Sequence, residues 1–323
     1  MSEERTLEEL EEQIDRLKSL NSRNGLDLTQ EIDNLTEKLS ARKEKSEGER
    51  DEWDRVKLAR HPDRPGSEDY LEYLTEDFYP LHGDRLLGDD SALKGGLAKY
   101  DGDTIVVIAQ SKGGDAEQSQ ETNFGMLRSE GYRKARRLMN LAERFDFPVF
   151  SLIDTPGAYP GKEAEEKNIG GMIAKSISRM ISLEVPTVSA VIGEGGSGGA
   201  VAIGAADSIL MLENSIYSVI SPEGAAAILW NDRERADDAA RALKLTAGHA
   251  SDLGIVNEIV EEGSEGAHVD FETTADNLSS SLSRHLEDLK SLDREELLSR
   301  RRERYREVGS YRKVVKQARE EEK

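Results

Sequence analysis

The stretch from Gly193 to Gly199 has the residue types of a site that stabilises negative charge on an oxygen atom. It holds five glycines in seven residues and follows an apolar run, Val188–Ile192. Small apolar residues, Ala200–Gly204, come next, so we expect a strand, a glycine turn and the start of a helix in this order. The first N–H groups of a helix lack an internal partner, and glycine lets a ligand come close to them. The amides of Gly198 and Gly199 are therefore the predicted oxyanion donors.

A dinucleotide site is one alternative for the same residues. Gly193, Gly195 and Gly198 match the G-x-G-x-x-G pattern, and Glu213 stands twenty residues after Gly193, where an acidic residue binds a ribose in such sites. The helix after the turn is short for this class, because Asp207 already begins the next connection.

A serine hydrolase is another alternative. Gly195-x-Ser197-x-Gly199 matches a nucleophile elbow, and His249 and His268 follow the serine in the chain. An oxyanion hole without a nucleophile and a tight turn packed in a core also fit. The glycine stretch alone leaves these alternatives open.

Composition limits the classes of protein that are compatible with this chain. The 323 residues carry 65 acidic and 44 basic side chains, a net charge of −21, which disfavours binding to nucleic acid or to an anionic membrane. There is no cysteine, so disulfides and cysteine-ligated zinc are excluded. No apolar run is long enough to span a membrane, and the Glu-rich first residues do not resemble a secretion signal. We expect a cytoplasmic protein without a bound metal.

The elements that must position the glycine stretch follow from periodicity. Residues 1–60 predict a helical hairpin, residues 61–285 a main domain in which apolar runs alternate with helical stretches, and residues 286–323 a helical tail. Such alternation favours an α/β fold with much parallel sheet. The predicted strands are 104–109, 149–153, 187–192, 208–212 and 255–260, and the main helices are 131–145 and 170–183. The Arg-rich stretch 300–306 is interpreted as a solvated helix face.

Longer motifs along the chain are more specific than the glycine stretch. Together they resemble the alpha subunit of the bacterial acetyl-coenzyme A carboxylase carboxyltransferase, from the hairpin to about residue 305. The motifs, in chain order with the glycine stretch among them, are Ala59-Arg60-His61-Pro62, Asn123-Phe124-Gly125-Met126, Glu130-Gly131-Tyr132-Arg133-Lys134-Ala135, Ala142-Glu143-Arg144-Phe145, Ile153-Asp154-Thr155-Pro156-Gly157-Ala158-Tyr159-Pro160-Gly161 and Tyr217-Ser218-Val219-Ile220-Ser221-Pro222-Glu223-Gly224.

The resemblance implies a ClpP/crotonase-like spiral of ββα units, with the helical hairpin and tail as additions. It implies transfer of a carboxyl group from carboxybiotin, carried on a biotin carboxyl carrier protein, to acetyl-CoA, giving malonyl-CoA for fatty-acid synthesis. Carboxybiotin would be a co-substrate, and no cofactor would be covalently bound. The implied partners are a zinc-bearing beta subunit in an α2β2 assembly and, in the wider complex, biotin carboxylase.

The resemblance also implies roles for individual residues. Gly198 and Gly199 would donate to the biotin ureido oxygen, while Gly195 and Gly196 would shape the turn. The loop 154–161, with Gly157, Ala158 and Tyr159, would border the substrate pocket. The chain departs from the family pattern at 113–122, which is acidic and polar where basic residues are common. Local positive charge remains at Lys112, Arg128, Arg133, Lys134, Arg136 and Arg137.

Overall fold

The computed structural model describes residues 50–263 and 265–309, together with Leu17, Ile32 and Leu35. The predicted hairpin over 1–60 therefore lies outside the described residues, apart from these three helical positions and its last eleven residues, 50–60. Those last residues form a helix of their own, capped by the Asp51 carboxylate, which accepts the N–H groups of Trp53 and Asp54.

The described chain alternates strands and helices as the periodicity predicts. The strands are β1 (Glu76–Pro80), β2 (Leu93–Tyr100), β3 (Asp103–Gln110), β4 (Val149–Thr155), β5 (Thr187–Gly196), β6 (Ser208–Leu212), β7 (Ile216–Ser218) and β8 (Glu258–Val260). The helices are α1 (Glu52–Ala59), α2 (Ser67–Leu74), α3 (Ala116–Glu121), α4 (Ser129–Phe145), α5 (Lys162–Glu166), α6 (Ile169–Ser182), α7 (Ser197–Gly204), α8 (Pro222–Trp230), α9 (Ala236–Leu243), α10 (Ala247–Asp252), α11 (Phe271–Lys290) and α12 (Arg294–Glu307), with single 3₁₀ turns at Asn123–Gly125 and Arg233–Arg235.

Strand predictions are confirmed for β3 to β6, and the last one is too long. Only Glu258–Val260 forms β8, although we predicted a strand from residue 255. The N–H groups of Ile255 and Val256 both bond the carbonyl of Ala250, so these residues fold back on the carboxyl end of α10 and do not extend the strand. Apolar side chains alone do not distinguish a helix end that packs on the core from a strand.

The strands form one sheet in the order β1-β2-β3-β4-β5-β6-β8, with β7 paired to the end of β5. The β1–β3 pairs are antiparallel, and the pairs from β3 onward are parallel. Every residue of β4 is buried, as expected for a parallel strand that is covered on both faces. One face packs on α4, α6 and α7, and the other packs on α2 and α11. Because parallel strands share a direction, the carboxyl ends of β4 and β5 meet at one edge of the sheet.

The tail is continuous with the main domain. Helix α11 runs through the boundary that we predicted between residues 285 and 286, and its Leu286 and Leu289 are buried against the sheet. The apolar stripe of the helix does not change at this point, so the helix does not end there. Residues 310–323 lie outside the described part of the chain.

The Arg-rich stretch contains a buried residue, which corrects our interpretation of a solvated face. Arg301 is 1% exposed, and its guanidinium binds the Asp207 carboxylate at 2.6 Å. The same guanidinium donates to the carbonyls of Met180, Leu183 and Val185. Asp207 lies far from Arg301 in the chain, so sequence periodicity gives no sign of the pairing.

Candidate active site at the glycine turn

The glycine turn joins β5 to α7 as predicted. Strand β5 ends at Gly196, and α7 begins at Ser197, whose φ of 50° is left-handed. No side chain of the described residues caps the first turn of α7. Gly198 and Gly199 lie in that turn, where backbone N–H groups have no acceptor within the helix.

The loop after β4 lies directly against this turn. A Cβ atom added at Gly196 would come 2.2 Å from the Pro156 carbonyl, and one added at Gly199 would come 2.7 Å from the carbonyl carbon of Gly157. Side chains at these two positions are therefore excluded by backbone atoms. The structure thus brings Gly196 and Gly199 together with Gly157 and Ala158, four of the residues predicted for the site.

Not every predicted glycine is tightly packed. A Cβ atom at Gly198 would meet only Ile173 side-chain atoms, at 3.4 and 3.6 Å, which is ordinary contact. Gly195 instead faces the Tyr217 ring, 2.3 Å from the position that its Cβ would take. Space therefore dictates glycine at 195, 196 and 199 but not at 198.

Tyr159 borders the same loop. Its N–H donates to the Leu127 carbonyl at 3.1 Å, and the Arg128 guanidinium lies over its ring, 4.9 Å from the centroid. The Thr155 hydroxyl accepts from the N–H of Gly157, which orders the turn before the tyrosine. The loop is therefore fixed by contacts with the segment after Asn123–Gly125.

A charged network lies beneath the turn, and its ion pairs were not predicted from the sequence. Lys112 Nζ lies 2.7 Å from Asp154 Oδ1 and 2.8 Å from Glu194 Oε2, and Arg60 Nε lies 2.7 Å from Glu194 Oε1. Arg60 also binds Glu223 at 2.6 Å. The signal was present at Glu194, since a carboxylate inside a buried glycine stretch requires a charged partner.

Burial and charge oppose each other in this network. Burial alone would lower the pKa of Lys112, but the carboxylates of Asp154 and Glu194 outweigh it and raise that pKa. Burial would raise the pKa of Glu194, but Lys112 and Arg60 outweigh it and lower that pKa. Lys112 and Glu194 are therefore charged near neutral pH, so neither is suited to accept or give up a proton in that range.

A cleft of about 780 Å³ opens beside Lys112 and Asp154. His61 and His268 pack against each other in it, with ring centroids 4.1 Å apart and the rings tilted by 37°. Arg64 lies in its wall and binds Glu262 at 2.6 Å. In the part of the chain that the structure describes, no group of three or more His, Asp or Glu side chains could hold a metal ion.

A family model described as acetyl co-enzyme A carboxylase carboxyltransferase-like matches residues 1–309. The chain belongs to this family. The match confirms the resemblance that the motifs indicated and the carboxyltransferase function that it implied.

Two curated relatives illustrate the similarity. An acetyl-coenzyme A carboxylase carboxyl transferase subunit alpha of Deinococcus radiodurans is 49% identical over 305 residues, covering 94% of this chain and 96% of its own. The subunit of the same name from Bacillus cytotoxicus is 46% identical over 306 residues, covering 95% and 94%. The subunit names imply a multi-subunit acetyl-CoA carboxylase.

Solved structures confirm the crotonase-like α/β fold. A transcarboxylase 12S structure with methylmalonyl-coenzyme A bound superposes with a TM-score of 0.56 at 19% identity, covering 79% of this chain and 45% of that one. A Pseudomonas malonate decarboxylase hetero-tetramer in complex with coenzyme A gives 0.55 at 17% identity, covering 67% and 86%. At these identities the likeness concerns the fold.

The contacts of Ser197 do not favour the serine hydrolase. None of the five histidines, all of them described, hydrogen bonds to Ser197. His249 bonds Thr246, His285 bonds Ser208 and Glu258, and His61 packs against His268. His82 bonds Asp89. The hydrolase alternative therefore lacks a histidine that is hydrogen bonded to the serine as a general base.

The dinucleotide alternative is likewise unsupported by the geometry. Glu213 lies 3.5 Å from Arg55 and is thus used in an ion pair, and α7 is only eight residues long.

The basic residues named as local positive charge are largely engaged within the protein. Arg133 binds Asp84 at 2.6 Å, and Lys134 binds Asp89 at 2.7 Å. Arg137 donates to the carbonyl of Gly83. These charges therefore hold the loop between β1 and β2 and are not free to bind phosphate.

Proposed function

We propose that this chain is the alpha subunit of a cytoplasmic carboxyltransferase that moves a carboxyl group from carboxybiotin to acetyl-CoA. Carboxybiotin arrives on the biotin carboxyl carrier protein as a co-substrate, and malonyl-CoA is the product. A zinc-bearing beta subunit completes the site in an α2β2 assembly, with biotin carboxylase in the wider complex. Among the described helices, none combines the length and apolar character needed to cross a bilayer.

The observation that supports the proposal is the uncapped first turn of α7 packed against the loop after β4. When the carboxyl group leaves biotin, negative charge develops on the ureido oxygen. The N–H groups of Gly198 and Gly199 are fixed donors for that charge, and one such donor typically contributes about 100-fold or more to the rate. Backbone N–H groups do not ionise in the physiological pH range, so they donate hydrogen bonds without the help of a titrating side chain.

The remaining predicted residues surround these donors. Gly195 and Gly196 give the turn its shape, because each lies where a side chain would collide with Tyr217 or Pro156. Opposite the donors, the loop after β4 forms the wall of the pocket and binds the substrate through Gly157, Ala158 and Tyr159. The alpha chain thus serves the biotin half of the reaction, and the thioester enolate is stabilised by the beta subunit.

The test uses the reverse reaction, which needs no prepared carboxybiotin. The full chain and a beta subunit are incubated with malonyl-CoA and biocytin, and acetyl-CoA is measured. The malonyl C–C bond breaks, a C–N bond forms on the ureido nitrogen, and the proton of that nitrogen goes to the acetyl carbon. We expect turnover only with both subunits and with biocytin. Equal acetyl-CoA formation without biocytin, or by this chain alone, would overturn the proposal.

A further inference from the structure

Strand β5 has a bulge opposite Asp154. In the β4–β5 pairing, Ile153 lies beside Val191, and the next pair is Thr155 with Gly195. The chain therefore advances two residues on β4 but four on β5. Such bulges often redirect the residues that follow them at functional sites. Here the residues that follow form the glycine turn.

The Asp154 side chain fills this bulge. Its Oδ1 accepts the N–H of Glu194 at 2.9 Å. A Cβ atom at Gly193 would lie 2.5 Å from the same oxygen, so glycine at 193 lets the carboxylate reach the backbone. Asp154 is 6% exposed, and water therefore does not replace the bond easily. The bulge is built around one carboxylate oxygen.

Residues at the end of β3, the strand on the other side of β4, also contact the bulge and the glycine turn. Lys112, two residues after β3, bridges Asp154 and Glu194 across the bulge. Gln110, the last residue of β3, donates from Nε2 to the Gly199 carbonyl at 2.9 Å. The carboxyl ends of β3, β4 and β5 thus fix both the start of the glycine turn and the peptide group that follows Gly199.

The amino end of β5 offers a matched comparison. There Asp207 accepts the N–H of Thr187, the first residue of the strand, at 2.8 Å and binds the buried Arg301. Asp207 is 7% exposed. The two aspartates therefore make the same kinds of bond at opposite ends of one strand, and only Asp154 lies at the glycine turn.

We propose that Asp154 is a positioning residue for the proposed oxyanion donors: by holding the β5 bulge, it sets the direction of the Gly198 and Gly199 amides. It touches no reacting atom. Because the inference concerns these donors, it rests on the proposed function, and the experiment has one arm that does not depend on it.

The rate arm compares variants in the complex with the beta subunit, well below their melting temperatures. We expect Asp154→Ala to lower kcat about 100-fold, the effect of misplacing a catalytic group by about 1 Å, with little change in the KM for malonyl-CoA. Asp154→Asn keeps an acceptor oxygen and should recover much of this loss. Asp207→Asn should lower the melting temperature while kcat stays within about twofold of wild type. Equal kcat values for Asp154→Ala and Asp207→Asn would overturn the proposal.

The second arm is hydrogen exchange of the chain, read by mass spectrometry on peptides covering residues 191–196. Asp154→Ala should speed exchange in these peptides about tenfold, because the loss of one buried hydrogen bond changes the opening equilibrium by about that factor. Asp207→Asn should leave this exchange unchanged. If wild type forms no acetyl-CoA but this exchange pattern appears, the proposed function fails while the bulge assignment holds. Unchanged exchange in Asp154→Ala refutes the positioning role whatever the rates.

Discussion

Gly199→Ala and Gly198→Ala separate packing from chemistry at neighbouring positions. The alanine Cβ at 199 would lie 2.7 Å from the Gly157 carbonyl carbon and 2.9 Å from the Ala158 nitrogen. Reaching an ordinary 3.4 Å contact requires the two loops to separate by about 0.7 Å. Overpacking of this kind destabilises by about 1–3 kcal/mol. For 323 residues, an unfolding entropy of about 2.1 cal/mol/K per residue converts this loss into a fall in melting temperature of roughly 1.5–4.5 °C.

The same displacement moves the Gly199 amide away from the developing charge. A misplacement near 1 Å lowers turnover by about 100-fold, so Gly199→Ala should lose both stability and rate. Gly198→Ala should keep the wild-type melting temperature, because its Cβ reaches only Ile173 at ordinary distance. Any loss of rate in Gly198→Ala would then report contact with the ligand, separate from folding.

The assay combines differential scanning calorimetry with acetyl-CoA formation from malonyl-CoA and biocytin. Gly170→Ala is the control, because no atom lies within 4 Å of the added Cβ, and we expect neither stability nor rate to fall. If Gly199→Ala keeps wild-type stability and turnover, the close packing of the glycine turn on Gly157 does not matter for function. If Gly198→Ala unfolds as readily as Gly199→Ala, the steric argument is wrong.

Three further outcomes follow from particular contacts. Ser197→Ala should keep turnover within about threefold, because no general base contacts Ser197, and loss of all activity would restore the hydrolase alternative. Burial would raise the pKa of Glu262, but the Arg64 ion pair outweighs it and lowers that pKa to about 2. Because this pKa is depressed in the folded state, the stabilisation is present above the ordinary pKa of 4.5 and is lost as pH falls toward 2. Thermal melts between these pH values should therefore fall less steeply for Glu262→Gln than for wild type, and parallel slopes would contradict the pairing. Arg301→Met should lower stability in urea unfolding by about 3–5 kcal/mol, because it leaves the Asp207 carboxylate buried and unpaired, whereas a change below about 1 kcal/mol would be incompatible with that burial.

The sequence by itself determined the local elements and the place of the turn. Apolar runs identified β3 to β6, and the helical stretches between them identified α4 and α6, because these patterns depend only on neighbours along the chain. The glycine stretch identified the β5–α7 junction for the same reason. The long motifs identified the family.

Only the tertiary structure decided which distant residues meet. Lys112 and Glu194 are 82 residues apart in the chain, and Arg60 and Glu194 are 134 apart, yet each pair forms an ion pair. Arg301 is a further example: its local charge pattern predicts a solvent-exposed side chain, but in the fold it forms a buried ion pair with Asp207. These contacts depend on strand order, on the bulge in β5 and on the helix that covers each sheet face. Such long-range contacts leave no periodic pattern in the sequence, because no local repeat fixes the number of residues between the two partners.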